Sequence, residues 1–449
     1  MDQEWVNALL EKAKERGFSD FEIYIESSKH FSISVFDGAL DKFSSSQPYG
    51  ISVRGIYNSK MGNAYTEKTD SAALELLVED CLTNAVISET EEIVEIFAPA
   101  ATYPELTEAV FDLSEMTSNE KIDLLRNAEK LAMDLDSRVD QVQNKYGDAA
   151  TKIGIFNSKG LSLEYETTMG YIYFAPIVKD GEETKNELVL HLFKNKEEIQ
   201  ANLIAKTAVE KTIEMMGAQI LESGSYKTII SGKSMAELME VMGNIFSAEA
   251  ADKGLTHFKD QVGEMVASPL VTFIENPHLQ NGFATMPFDS EGVPTQKKQI
   301  IDQGKLTGFL HNLKTAKKWN VAPTGNGFKS SFKSPIGISA TNFYLEPGKE
   351  TLESLMAFVS EGIYITALDG LNAGINAITG EFSLSCRGFK IESGDKTTPI
   401  HQMTVSGNYF DLLKSIEAVA DDFAFEALDS IAVYGAPSVY VGKLVLSGK

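Results

Sequence analysis

The spacing of hydrophobic residues changes several times along the chain, and each change predicts a new element. Near the N-terminus, apolar residues recur every three or four positions, which predicts an amphipathic helix over 2–16 that ends at Gly17. The period then becomes two, which predicts antiparallel strands over 21–26, 31–36 and 50–57. A further apolar segment over 71–87 predicts a helix that covers this sheet.

The same order of elements returns farther along the chain. A helix is predicted over 119–136, and a long helix over 197–218. Between them, alternation predicts strands over 151–156, 161–165, 171–174 and 188–193. Two turn sequences, Asn58-Ser-Lys60 and Asn157-Ser-Lys159, are compatible with a duplication. We therefore expect an N-terminal α+β domain over 1–223, with modules 1–90 and 118–223 joined by an acidic, proline-containing segment over 91–117.

Beyond Gly224 the chain consists mostly of short predicted strands and turns. A twisted antiparallel sheet or a partly closed barrel would bury so many short strands, so a β-rich domain is expected over 224–449. Two hairpins are predicted over 299–310 and 389–400, and a late helix over 408–422. The fold class is thus α+β, with antiparallel sheets and covering helices followed by a barrel-like domain that contains an inserted helix.

The inserted helix is predicted over 234–252. Ser234 and Glu237 form a capping-box pattern at its start, and Lys253-Gly254 is a typical stop. One apolar stripe runs along it, formed by Met235, Leu238, Met239, Met242, Ile245 and Phe246. The stripe indicates a helix packed on a core.

Charge and composition narrow the classes of function. The 64 acidic and 40 basic side chains give a net charge of −24, which disfavours direct binding to nucleic acid. There is no apolar run of the roughly 20 residues that a membrane helix needs, and the N-terminus lacks the pattern of a secretion signal. Cys81 and Cys386 fit no zinc spacing and require no disulfide. A cytoplasmic protein without membrane contact is expected.

Several candidate sites have a plainer structural explanation. Ser231-Gly-Lys-Ser234 resembles part of a phosphate loop, but position 227, where glycine is needed, is Lys227. His257 and His278 could converge with Glu264 or Glu275 on a metal, although the spacing favours surface histidines.

Cys386 is a candidate nucleophile if folding brings His401 or His311 close to it. Its place in an alternating strand favours a buried structural cysteine. The glycine-rich loops 324–327 and 370–374 suit either turns or a groove for an extended peptide, and the sequence leaves that choice open.

Six motifs follow the inserted helix in order. They are Val262–Pro269, Phe288–Pro294, Thr324–Gly327, Asn342–Gly348, Ile378–Phe382 and Thr404–Asn408. Their order and spacing resemble the TldD/PmbA family, the "modulator of DNA gyrase" proteins that form a metalloprotease. The resemblance runs through essentially the whole chain and is most specific from about Ser231 onward. It implies the same α+β layout with a β-rich C-terminal domain.

The zinc-bearing member of that family carries His-Glu-x-x-x-His on the inserted helix. Here Met239 and Asn244 stand at the two histidine positions, and only Glu240 matches. A thioether and an amide are poor zinc ligands, and the family's C-terminal cysteine has no counterpart over 421–449. Glu240 could be a remnant of the general base, but a solvated carboxylate beside the apolar stripe is favoured. The resemblance is therefore to the PmbA (TldE) type, with no cofactor on this chain.

The resemblance implies a subunit that pairs with a zinc-bearing TldD-type homologue and acts on unfolded or extended peptides. Zinc and catalysis are then expected on the partner, and activity of this chain is expected only in that complex. The alternative is a metal-free homodimer that holds peptides or proteins as an adaptor. An independent hydrolase that uses Cys386 or a metal site not recognised in the sequence ranks third. Neither the substrate nor the choice between a heterodimer and a homodimer follows from the sequence.

Overall fold

The computed structural model describes residues 3–88, 95–106 and 115–449. Its N-terminal half contains α1 Gln3–Glu15, β1 Asp20–Phe36, β2 Ala39–Ser46, β3 Tyr49–Tyr57, β4 Lys60–Thr66, α2 Ser71–Ile87, α3 Ser118–Leu135, β5 Val139–Asn157, β6 Ser162–Asp180, β7 Glu183–Asn186, β8 Val189–Phe193 and α4 Ala201–Glu214. Within the predicted connecting segment, residues 95–106 contain no helix or strand, and 91–94 and 107–114 lie outside the described residues.

These strands form one eight-stranded sheet. Its order is β4-β3-β1-β5-β6-β7, with β2 paired to β1 and β8 paired to β6. β1 and β5 are antiparallel partners from Glu22 opposite Asn157 to Ile33 opposite Tyr146. The strands of the two expected modules therefore share a single sheet.

β1 is one continuous strand, so the prediction of separate strands over 21–26 and 31–36 was wrong. The polar residues between them stay in the ladder because β5 pairs with all of them. Ser27 lies opposite Tyr49 on β3 and Lys152 on β5. His30, three residues later, lies opposite Ser46 on β2. The break suggested by the polar residues is where β1 exchanges β3 for β2 as its neighbour.

The two faces of this sheet have different partners. Ile23, Ile25 and Phe156 pack with the buried residues of α1 and α2, and Ile33, Tyr146 and Phe174 pack with those of α3 and α4. On the other face, Tyr24 and Ile155 pack against Phe288 and Phe332 of the C-terminal half. The helices thus cover one face, as predicted, and the C-terminal half covers part of the other.

The C-terminal half contains β9 Gly224–Ile230, α5 Gly232–Met242, α6 Ala248–Asp252, β10 Phe273–Glu275, β11 Lys298–Asp302, β12 Lys305–Leu306, α7 Leu313–Trp319, β13 Gly327–Phe328, β14 Gly337–Ile338, β15 Asn342–Leu345, α8 Leu352–Val359, β16 Gly362–Asp369, α9 Leu371–Gly374, β17 Glu381–Glu392, β18 Asp395–Asn408, α10 Tyr409–Lys414, β19 Ala418–Val419, β20 Ala424–Leu428, β21 Val433–Ala436 and β22 Val439–Ser447.

Five of these strands close into a barrel. The order β18-β17-β16-β9-β22 returns to its start because β18 also pairs with β22. A second sheet has the order β12-β11-β10-β15-β21-β20, with β20 at its edge. The α+β class and the barrel-like C-terminal domain with an inserted helix are confirmed.

Two helix predictions were too long. The late helix ends at Lys414 rather than 422, because Ala418 and Val419 pair with β22 as a strand. The helix predicted over 197–218 begins at Ala201 and ends at Glu214. It cannot continue regularly to 218 because Gly217 has a φ of +73°.

Candidate functional site

α5 is the inserted helix, and its start differs from the prediction. Ser231, not Ser234, is the N-cap, and its hydroxyl accepts a hydrogen bond from the Ser234 amide at 3.2 Å. The helix therefore begins three residues earlier than expected. The predicted apolar stripe is confirmed, because its six side chains are all buried in the largest core of the C-terminal half.

The helix does not run unbroken to residue 252. It ends at Met242, continues as a 3₁₀ turn over Gly243–Phe246, and resumes as α6. A side chain at Gly243 would have its Cβ 2.6 Å from Tyr434 Oη, so this close approach needs glycine. The predicted stop is confirmed, since Lys253 is the C-cap and Gly254 has a φ of +68°.

The three motif positions do not converge. Met239 is 1% exposed and lies in the apolar core, whereas Asn244 lies beyond the end of α5 and is exposed. Glu240 is half-buried on the polar side of the helix. A thioether in the core and an amide in solvent do not fit a zinc site. No group of three or more His, Cys, Asp or Glu among residues 3–88, 95–106 and 115–449 is arranged to hold a metal.

Glu240 lies near a second carboxylate, that of Asp429. Burial raises the pKa of its carboxyl, and the neighbouring Asp429 raises it further. Asp429 is held in place because its Oδ1 accepts hydrogen bonds from the amides of Ile431 and Ala432, both at 2.7 Å. Burial also raises the pKa of Tyr434, with smaller contributions from Asp429 and Glu240. These groups offer hydrogen-bond acceptors to a ligand.

A cavity of about 980 Å³ lies beside the first turn of α5, between α4 and the barrel. α4 contributes Lys211 and Glu214, Met215 follows directly after it, and α5 contributes Lys233. The far side is formed by residues of α8, β16, the β17–β18 hairpin and β20. The volume is near the upper end of the range for ligand sites, about 300–1,000 Å³.

Half-buried carboxylates lie in and near this cavity. Glu187 forms an ion pair with Arg387 at 3.0 Å, and burial raises the pKa of Glu187 and of Glu426. Burial also raises the pKa of Glu237 on α5 to about 7, an effect that Lys233 opposes.

Sequence reasoning missed this group because its members come from distant segments. One available signal was Glu426, a carboxylate in the middle of the short apolar stretch Ala424–Leu428.

Family models match most of the chain. The models for PmbA/TldA metallopeptidase domain 1, the central domain and the C-terminal domain match residues 21–85, 111–216 and 223–448. The chain belongs to the PmbA/TldD metallopeptidase family.

Relatives with both family names match at similar identity. The metalloprotease TldD homolog of Haemophilus influenzae is 25% identical over 89% of this chain and 85% of its own length. The metalloprotease PmbA of Escherichia coli is 24% identical over 94% of this chain and 91% of its own length. The crystal structure of a proposed modulator of a DNA gyrase from Thermotoga maritima is 30% identical, covers 100% of both chains and has a TM-score of 0.91. Overall identity therefore does not separate the TldD and PmbA types.

Two of the six PmbA/TldD-like motifs, Phe288–Pro294 and Thr324–Gly327, contact each other where the two halves of the molecule meet. Glu291 Oε1 accepts a hydrogen bond from Arg54 Nη1 at 3.0 Å. Its Oε2 accepts a hydrogen bond from the Leu313 amide at 2.7 Å. Asp289 accepts the Gly327 amide at 2.8 Å. A Cβ at Gly327 would lie 2.4 Å from the Glu291 carboxylate. The glycine-rich loop 324–327 is thus packed against the acidic loop, and the loop at 370 forms the start of the short helix α9.

Structural contacts also account for three other candidates from the sequence, Ser231, His278 and His257. Ser231 caps α5, and the Gly232 amide donates to Ser438 Oγ at 3.3 Å. His278 Nε2 is 2.9 Å from Thr295 Oγ1, and His257 packs on Phe410.

Cys386 is buried, and burial raises its thiol pKa to about 12, which disfavours a nucleophile. None of the helices in the described part of the chain is long and apolar enough to cross a bilayer.

Proposed function

We propose that this chain is the non-metal subunit of a TldD/PmbA-type metalloprotease and that it acts with a zinc-bearing homologue. The observation that supports this proposal is the environment of the two histidine positions on the motif helix. The residue at the first histidine position, Met239, packs in the core, and the residue at the second, Asn244, faces solvent. The helix is retained as a packing element, while the positions that would hold zinc are spread over two environments.

The same proposal gives the cavity beside α5 a role in holding extended peptides. Its wall has apolar side chains that could receive peptide side chains, including Leu188, Met215, Met356 and Phe389. Its opposite sides come from the N-terminal sheet with α4 and from the C-terminal barrel, so a peptide bound there would contact both halves. The net charge of −24 favours peptide over nucleic acid as the bound polymer.

The test is reconstitution. The full chain is purified alone, and again after co-expression with a homologue from the same genome that carries His-Glu-x-x-x-His. Cleavage of an unfolded, fluorescently labelled peptide is measured, together with zinc content. We expect neither zinc nor cleavage from this chain alone, and cleavage from the pair. Changing the partner's motif glutamate to glutamine should abolish that cleavage.

Three results would contradict the proposal. One tightly bound zinc per isolated chain would place a metal site here. Cleavage by this chain alone would make it an independent hydrolase. Peptide binding without cleavage, even with the zinc-bearing homologue present, would favour the homodimeric adaptor.

A further inference from the structure

The cavity beside α5 carries more carboxylates than cations. Its lining includes the acidic residues Glu187, Glu214, Glu353, Asp395, Asp422 and Glu426. The basic residues of the lining are Lys211, Lys233 and Lys396. The wall is therefore acidic overall, although the two signs are mixed.

Two of the three lysines have acidic partners of their own. Lys396 Nζ is 2.8 Å from Glu214 and also lies over the Phe389 ring, 4.5 Å from its centroid. Lys233 Nζ is 4.0 Å from Glu237 Oε1. The Phe389 ring thus already carries a cation that the protein itself supplies.

One carboxylate of the lining lacks a close partner. Glu426 has no hydrogen bond and no ion pair within 4 Å among the described residues, and Lys211, Lys233 and His191 influence it only from a longer distance. Glu237 on α5 is not part of the lining; its Oε1 lies 4.0 Å from Lys233 Nζ, and its buried Oε2 has no hydrogen-bond partner in the described structure. Asp369 and Glu426 both raise the pKa of Glu237, so these acidic groups are close to one another. An added cation would relieve their mutual repulsion.

The positive end of α5 does not reverse this preference. A free helix N-terminus would attract anions. Here the Ser231 hydroxyl caps the Ser234 amide, and the Ser438 hydroxyl accepts the Gly232 amide. These first-turn amides are satisfied from within the protein, which leaves the acidic lining, with the unpaired Glu426, as the dominant charge for a ligand.

We propose that this cavity selects peptide segments in which a lysine or arginine stands among apolar side chains, with Glu426 receiving the cation. Leu188, Met215, Met356 and Phe389 would receive the flanking apolar side chains. The inference rests on the proposed function, since it names the class of peptide that the cavity takes.

Three short labelled peptides test the selectivity. They share one apolar and serine-containing sequence and carry lysine, glutamine or glutamate at the centre. Binding to the full chain is measured by fluorescence anisotropy at fixed ionic strength. We expect the lysine peptide to bind about tenfold more tightly than the glutamine peptide, and the glutamate peptide to bind most weakly.

Variants locate the selectivity in the cavity. Glu426→Gln should reduce the lysine-to-glutamine ratio to about twofold, and Glu426→Lys should reverse the preference toward the glutamate peptide. Glu210→Gln is the matched control, because Glu210 is exposed on the same α4 that lines the cavity and lies 3.7 Å from Lys206. That control should keep the tenfold ratio. Circular dichroism verifies that each variant is folded.

The outcomes separate this inference from the proposed function. Equal binding of all three peptides would overturn the charge selectivity and leave peptide holding intact. A tenfold preference that persists in Glu426→Gln would place the selectivity elsewhere and overturn the assignment to this cavity. Failure of every peptide to bind would overturn both proposals.

Discussion

Arg54 on β3 reaches from the N-terminal sheet to Glu291 in the C-terminal half, with 3.0 Å between Nη1 and Oε1. The Nε atom of the same guanidinium lies 2.6 Å from Glu22 on β1. Both carboxylates are almost completely buried. The arginine therefore compensates two charges that have lost their water, and it joins the two halves of the molecule at the same time.

Arg54→Met should destabilise the protein by about 3–5 kcal/mol, because it leaves Glu22 and Glu291 buried without their cation. Arg16→Met is the control, since Arg16 forms an exposed ion pair with Glu79 and should cost no more than about 1 kcal/mol. Urea denaturation followed by circular dichroism measures both. Equal stabilities for the two variants would show that the junction does not depend on this arginine.

Restoring histidines should have unequal effects at the two motif positions. Met239→His places an imidazole in an apolar core and should cost about 1–3 kcal/mol. Asn244→His changes an exposed residue and should alter stability by less than about 0.5 kcal/mol. The double variant should show little or no peptidase activity, because the two side chains do not converge. Strong cleavage by that variant alone would show that the rest of a catalytic site survives on this chain.

Glu237→Gln should change the pH dependence of stability. Burial raises the Glu237 pKa from 4.5 in the unfolded chain to about 7 in the folded protein. The folded state then binds the proton more tightly, so this contribution is complete below pH 4.5 and is lost as the pH rises through 7. Glutamine stays neutral throughout, so the variant should gain roughly 1–3 kcal/mol relative to the natural protein between pH 4 and pH 8. Denaturation curves at both pH values measure this, and a constant difference would contradict it.

Duplex DNA should bind weakly at low salt and not at all at physiological salt. The 64 acidic side chains outnumber the 40 basic ones, so counterion release has little to contribute. Anisotropy of a labelled duplex, titrated at two salt concentrations, measures the effect. A salt-resistant submicromolar complex would require a basic face that the overall charge conceals.

Local pattern was enough to predict some elements and not others. The helix α2 has the predicted bounds, Ser71–Ile87, because Asp70 caps its start and the covering role needs no distant partner to define its ends. The helix α5 breaks after Met242, where Gly243 packs closely against Tyr434, a residue that is far from it in the sequence. Likewise, Ala418 and Val419 are a strand because β22 is beside them. Both departures from the local pattern involve a contact with a distant residue.

One part of the candidate site, the motif helix, could be predicted from the sequence, and the other part, the cavity, could not. The sequence alone showed that Met239 and Asn244 occupy the two histidine positions, because both belong to one short motif. The cavity was not visible, since Glu187 lies between β7 and β8 of the N-terminal half and Glu426 lies on β20 of the C-terminal half, and both line the cavity only after folding. Its acidic balance depends on which carboxylates are left without partners, and no spacing rule encodes that.

The pairing of β1 with β5 has a consequence for synthesis on the ribosome. β1 is complete once Phe36 has been made, but its partner β5 ends only at Asn157. Translation adds roughly 5–20 residues per second, so the edge of β1 that pairs with β5 stays unpaired for on the order of ten seconds. During that interval its backbone groups are open to other extended chains. Any chaperone that serves this protein would therefore be needed most while residues 37–157 are being made.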